Sequence, residues 1–145
     1  MVKHIMTREE RIKLAEKSQD PETLDRLSRD EDRDVRGAVA YNPNTSPEIL
    51  NRLSRDEDDW VRPWVAINPN TPAEALDQLS RDEDDTVRYS VALNLSTPAE
   101  TLDQLSRDEL YRVRSYVARN PKWQATREPG LLDVARSASK WLKIL

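Results

Sequence analysis

Leucine recurs in this chain as pairs three residues apart, at Leu24/Leu27, Leu50/Leu53, Leu76/Leu79 and Leu102/Leu105. Valine recurs as pairs four apart, at Val35/Val39, Val61/Val65, Val87/Val91 and Val113/Val117, each second valine followed by alanine. Spacings of three and four put both members on one face of a helix. The pattern therefore predicts a leucine helix and then a valine helix, over and over. Every member returns after 26 residues without insertion, and so does the connecting phrase Leu27-Ser28-Arg29-Asp30-Glu31, at 53, 79 and 105. A fixed period in the range of about 20 to 50 residues marks a solenoid or array. The chain holds about four and a half such units.

Punctuation supports two helices per unit. Thr71-Pro72-Ala73-Glu74 and Thr97-Pro98-Ala99-Glu100 are expected to start first helices, with Thr as N-cap, Pro at the first helical position and Glu at the third. Thr45-Ser46-Pro47-Glu48 is a shifted version and Asp20-Pro21-Glu22 a partial one. The second helix is expected to start in the acidic stretch, where carboxylates suit the helix dipole. Asn-Pro should stop it, because the residue before proline is pushed out of the helical region. Each helix should run about nine to eleven residues, too short to stand alone in water. Pro63 would cost an interior helix its amide, so the second helix of that copy should start late or bend.

Within this frame, Leu76, Leu79, Ser80, Asp82, Val87, Arg88, Val91, Ala92 and Asn94, with Asn68-Pro69 and Pro72 just upstream, resemble the leucine-rich repeat variant family. The resemblance covers roughly residues 14–123. It implies an all-helical, right-handed superhelix in the style of HEAT-like repeats, without the β-strand of ordinary leucine-rich repeats. One branch of that family carries an iron–sulfur cluster on an N-terminal cysteine cluster. This chain has no cysteine, so the cluster is not carried over and no cofactor is expected.

The expected fold is thus all-α, a short right-handed α-solenoid of 26-residue two-helix repeats forming one domain. Residues 1–31 are expected to form an N-terminal partial or capping repeat, 32–123 the repeats, and 124–145 a C-terminal capping helix. After Pro129-Gly130 the period breaks, and Leu131, Ala135, Ala138, Leu142 and Leu145 trace one face of a helix that could cover the last repeat. A hydrophobic fraction of 37% without phenylalanine fits thin packing around Leu, Val and Ala. Met1 to Met6 lacks the apolar run of a secretion signal and no stretch is long enough for a membrane span, so a cytoplasmic location is expected.

Charge divides unevenly. Residues 110–145 hold eight basic and two acidic residues, a net of +6, whereas the rest carries −10. Such asymmetry can steer a charged partner. The regular polar residues read as structural. Arg36, Arg62, Arg88 and Arg114 each follow an aspartate by six residues, a separation that forms an Asp–Arg ladder between units in HEAT-like repeats. Asn42, Asn68, Asn94 and Asn120 suit helix-end turns. The acidic runs at 30–32, 56–59 and 82–85 lack the glycine and oxygen spacing of a calcium loop. His4 is the only histidine, and with no placed nucleophile no catalytic constellation assembles. No enzyme activity is expected.

The copies disagree at four positions of the second helix: 34, 37, 38 and 41; 60, 63, 64 and 67; 86, 89, 90 and 93; 112, 115, 116 and 119. On a helical wheel, 60, 63 and 67 lie away from Val61 and Val65, with 64 at the edge of the core. A stripe of large apolar residues left in water points to use, and aromatics concentrate at interaction hot spots. Trp60, Trp64, Ile67, Tyr89, Leu93 and Tyr116 are therefore the candidates for binding a protein or peptide partner. Two other readings stay open. Arg112, Arg119 and Lys122 could contact nucleic acid at the basic end. The chain could equally be a purely structural or designed repeat, given the likeness of residues 77–83 and 103–109.

Overall fold

A computed structural model describes residues 3–127, which form ten helices and, among those residues, no strand. The second helices of successive units are α1 (Arg8–Lys17), α3 (Arg33–Tyr41), α5 (Arg62–Ile67), α7 (Asp85–Leu93) and α9 (Tyr111–Arg119). The first helices are α2 (Pro21–Leu27), α4 (Pro47–Leu53), α6 (Ala73–Leu79) and α8 (Ala99–Leu105). Each first helix runs only 7 residues, shorter than the pattern predicts. Second helices pack side by side along the chain, and each first helix packs against the second helices before and after it. This is a two-layer solenoid.

The core lies between the layers. Leu50, Leu76 and Leu102 from the first helices meet Val39, Val65, Val91 and Val117 from the second, all completely buried. Burying each such side chain contributes about 1.5–3 kcal/mol, enough when summed to hold helices that would melt singly. At the far end α10 (Pro121–Arg127) packs on α8 and α9 and buries Trp123. The amphipathic helix expected over 131–145 lies outside the described residues.

Polar rungs join the repeats at both ends of the second helices. At the N-terminal end, Arg62 donates from Nε and Nη2 to Asp82, at 2.7 and 3.2 Å, and from Nη1 to the Asp56 carbonyl at 2.9 Å. Arg36 makes the same set to Asp56 and the Asp30 carbonyl, and Arg88 to Asp108 and the Asp82 carbonyl. The expected ladder is present at Arg36, Arg62 and Arg88, but its ion pairs run 20 residues forward into the next unit, and among the described residues Arg114 bonds only the carbonyls of Asp108 and Glu109. The aspartate six residues back contributes its backbone carbonyl instead. Each ladder aspartate also accepts a loop N–H two residues on, as Asp56 does from Asp58 and Asp82 from Asp84, which fixes the turn into the next helix. Arg11 joins the ladder by pairing with Asp30 at 2.9 Å. It stands 25 residues before Arg36, one short of the period, and so escapes the sequence register.

At the C-terminal end, each repeated asparagine is the C-cap of its own helix and reaches back to the helix before. Asn68 Nδ2 donates to the carbonyls of Ala40 at 2.7 Å and Asn42 at 3.0 Å, while its Oδ1 accepts from Asn70 N–H at 2.9 Å. Asn42, Asn94 and Asn120 repeat the arrangement. These amides answer carbonyls that a helix end leaves without an intrahelical partner. Helix α7 ends on Asn94 although Leu95, not proline, follows. The asparagine's hydrogen bonds, rather than the proline, therefore mark the stop.

Two details differ from the expected punctuation. Thr71 and Thr97 do not cap first helices: Pro72 and Pro98 occupy the cap positions without a side-chain bond. The threonine hydroxyls instead donate to the buried carbonyls of Val65 and Val91, at 2.5 and 2.7 Å. A carbonyl sealed in the core loses more by going unpaired than an amide open to water. Side-chain capping of a first helix occurs at Asp20 and Ser46. Helix α5 starts late, as Pro63 requires: it has 6 residues where α3, α7 and α9 have 9. Pro63 sits in its first turn, where a missing amide costs nothing.

Replacing Asn68 with alanine strands two buried carbonyls and one amide, and should lower the unfolding free energy in urea by about 2–4 kcal/mol. The same change at exposed Asn44 should stay within about 0.5 kcal/mol. The ladder also sets an acid limit. Burial pushes the Asp108 carboxyl up, but the hydrogen bond from Arg88, the Leu110 N–H and the charge of Arg88 outweigh it and hold it below its ordinary value. A carboxylate depressed in the folded state stabilises above its unfolded value, and that stability is lost as pH falls through the folded one. Melting temperature should thus drop as pH falls below about 4, the unfolded carboxylate value. In Asp108→Asn, less stable at neutral pH, the drop should be shallower.

Candidate functional site

With both ends of the second helices committed to rungs and their inner faces to the core, only the outer face is free to vary. On α5 and α7 that face forms a groove. It encloses about 510 Å³ and is walled by Trp60, Pro63, Trp64, Ile67, Tyr89 and Leu93, with Asp59 and Asp84 at its mouth. The late start of α5 contributes directly, because Trp60 falls in the turn ahead of the helix and not on it. There its backbone N–H is held by Asp58 at 2.9 Å. Trp60 is 48% exposed and Leu93 is 42% exposed, so both present substantial apolar surface to water.

Trp60, Trp64, Ile67, Tyr89 and Leu93 all line this groove. Tyr116 does not; it stands one repeat on, its ring edge-to-face with Tyr89 at 4.5 Å. Its phenol is pushed above its ordinary range, chiefly by the neighbouring Tyr89 hydroxyl. Of the basic candidates, Arg112 lies 4.7 Å from the Tyr89 ring centroid and Arg119 lies 5.6 Å from that of Tyr116. Lys122 is exposed on α10. Arg112 and Arg119 thus adjoin the aromatic row, whereas among the described residues no such contact joins Lys122 to it.

Trp64 is the hinge of the aromatic cluster. It meets Trp60 edge-to-face at 6.2 Å and Tyr41 at 5.4 Å. Tyr41 was missed as a site residue because its own copy reads Asp34, Gly37, Ala38, Tyr41, with no second aromatic to mark a stripe. The signal was Gly37, a helical glycine facing the next copy's tryptophans: a Cβ built there would lie 3.4 Å from Trp64 Cδ1 and 3.8 Å from Trp60 Nε1.

Two stretches, residues 33–58 and 59–84, match the family described as leucine rich repeat variant. The two matched stretches are consecutive and each 26 residues long. No curated protein and no solved structure matches the chain. The first matched stretch begins at α3 and the second three residues ahead of α5, so Trp60 and Trp64 both fall near the start of the second. The same helical scaffold continues through α7 and α9 in the same 26-residue frame. No described helix is long and apolar enough to cross a membrane.

Proposed function

We propose that this repeat scaffold is a non-enzymatic binding module whose outer second-helix face takes up a segment of another protein. The observation that carries the reading is the groove of Trp60, Pro63, Trp64, Ile67, Tyr89 and Leu93. It is large, open and aromatic, and it is built from the positions that repeat packing leaves unconstrained. Rigid aromatic side chains on a fixed helical surface are the usual anchors of protein interfaces.

The rim supplies the partner's charge. Asp59 and Asp84 lie at the groove itself, and the adjoining hollow is lined by Glu57, Asp58 and Glu83 together with Arg33 and Arg62, which pair with Asp58 and Asp82 and leave the acids in excess. The segment that complements this surface carries apolar side chains flanked by lysine or arginine. Such complementarity acts mainly on association rate and specificity, so binding should weaken with added salt.

Panning a random peptide display library against the immobilised chain tests this. The account expects enrichment of sequences pairing aromatic or aliphatic residues with basic ones, and a loss of about tenfold or more in affinity for Leu93→Glu and Trp60→Ala. Both side chains are about half exposed, so helical circular dichroism and melting should change little. Selected peptides that bind these variants as tightly as the parent, or a library yielding no enrichment, would show that the face is not a docking surface.

A further inference from the structure

One repeat upstream of the groove, between α1, α3 and the start of α5, lies a second cavity of about 370 Å³. Tyr41, Trp60 and Trp64 line it with Ile12, Gly37 and Ala38, and the acidic residues Glu16 and Asp34 are also among its lining. Trp64 stands nearly perpendicular to both other rings, at 80° to Tyr41 and 75° to Trp60. The cluster therefore turns electron-rich ring faces in more than one direction. No lysine or arginine is among the residues lining the cavity.

The carboxylates differ in their commitments. Asp34 is paired with Arg8 from α1. Glu16 is exposed and, among the described residues, takes part in no ion pair. Trp60 already attracts a cation, since the Arg33 guanidinium lies 5.8 Å from its centroid. Three aromatic rings beside an uncommitted carboxylate are the chemical complement of a weakly hydrated cation.

We infer that this cavity is a binding site for an alkylated ammonium group, seated against Tyr41, Trp60 and Trp64 with Glu16 as its counter-charge. The walls decide the class. A plain ammonium or guanidinium brings several N–H donors, each needing an acceptor when it leaves water. Aromatic walls offer few acceptors, and of the two carboxylates Asp34 is already taken by Arg8. A trimethylated nitrogen has no N–H to satisfy and spreads its charge over methyl groups that pack on ring faces. The site does not depend on the peptide groove: the two share Trp60 and Trp64, but Glu16, Gly37 and Tyr41 line only this cavity.

Titrating the ¹⁵N-labelled full chain and following its indole N–H signals tests the inference. The probes are choline, an end-blocked Nε-trimethyllysine, end-blocked lysine, and 3,3-dimethylbutan-1-ol, the neutral carbon isostere of choline. The expected result is saturable shifts of two of the four indoles with choline or trimethyllysine. The tighter of the two tells whether the group arrives free or on a protein. The neutral isostere and plain lysine should bind about three- to thirtyfold more weakly. Glu16→Gln and Tyr41→Ala should weaken the cation at least about threefold.

Gly37→Ala keeps the experiment interpretable. Its backbone is ordinary helix, so alanine fits without strain and strengthens α3 while its methyl group occupies part of the cavity. That variant should melt no lower than the parent yet bind the cation more weakly. Equal binding of the neutral isostere, unsaturable shifts with both cations, or unchanged affinity in all three variants would overturn the inference. Leu93→Glu, which spoils the groove, should leave cation binding intact, so failure of one reading is not failure of the other.

Discussion

Helices of six to ten residues do not persist in water by themselves, and everything in this structure follows from how that deficit is met. Apolar burial between the two layers supplies the bulk of the stabilisation, but it does not fix one repeat against the next. The buried polar rungs do. From α1 to α7 each second helix is tied at its N-terminal end by an arginine reaching forward to the next unit's aspartate. From α3 to α9 an asparagine at the C-terminal end reaches back to the previous unit's open carbonyls. In Arg88 and Asp108 both side chains are at most 10% exposed, so the pair is strongly shielded from solvent. Losing either partner would leave a nearly buried charge unanswered.

This division of labour explains where variety can live. Core leucines and valines, ladder arginines and aspartates, and capping asparagines recur because each holds a neighbour in place. The outer face of the second helices touches no rung. Substitutions such as Gly37, Pro63 and Tyr89 at equivalent positions leave the scaffold standing, while they reshape the surface from a cavity to a groove to an edge-to-face tyrosine pair. Pro63 shows the coupling most plainly. By delaying α5 it takes Trp60 off the helix and swings it to the groove's edge at no cost to the rungs, since Arg62 and Asn68 flank it unchanged.

Much of this was legible in the residues. The 26-residue period, the two-helix unit, the structural role of the arginine and asparagine ladders, and the late start of α5 all follow from spacing and side-chain chemistry. What escaped has physical reasons. Arg11 sits one residue out of register, and only three-dimensional stacking brings it to Asp30. Thr71 and Thr97 carry a capping signature, but a buried carbonyl outcompetes an exposed amide for their hydroxyls, and sequence does not say which is buried. The forward direction of the Arg–Asp pairs depends on the offset between stacked units. Tyr41 entered the candidate site because Gly37 lets the tryptophans of the next repeat approach, a contact between copies that no single copy announces.

The rungs are the claim on which the rest stands, and a double-mutant cycle on Arg62 and Asp82 tests it most directly. Unfolding free energies of the parent, Arg62→Met, Asp82→Asn and the double variant would be measured in urea at neutral pH. If the pair joins repeats as a shielded rung, each single change costs about 3 kcal/mol and the double costs far less than their sum, with a coupling of about 1.5 kcal/mol or more. Single costs that add to within about 0.5 kcal/mol, as for an ordinary exposed ion pair, would contradict the account.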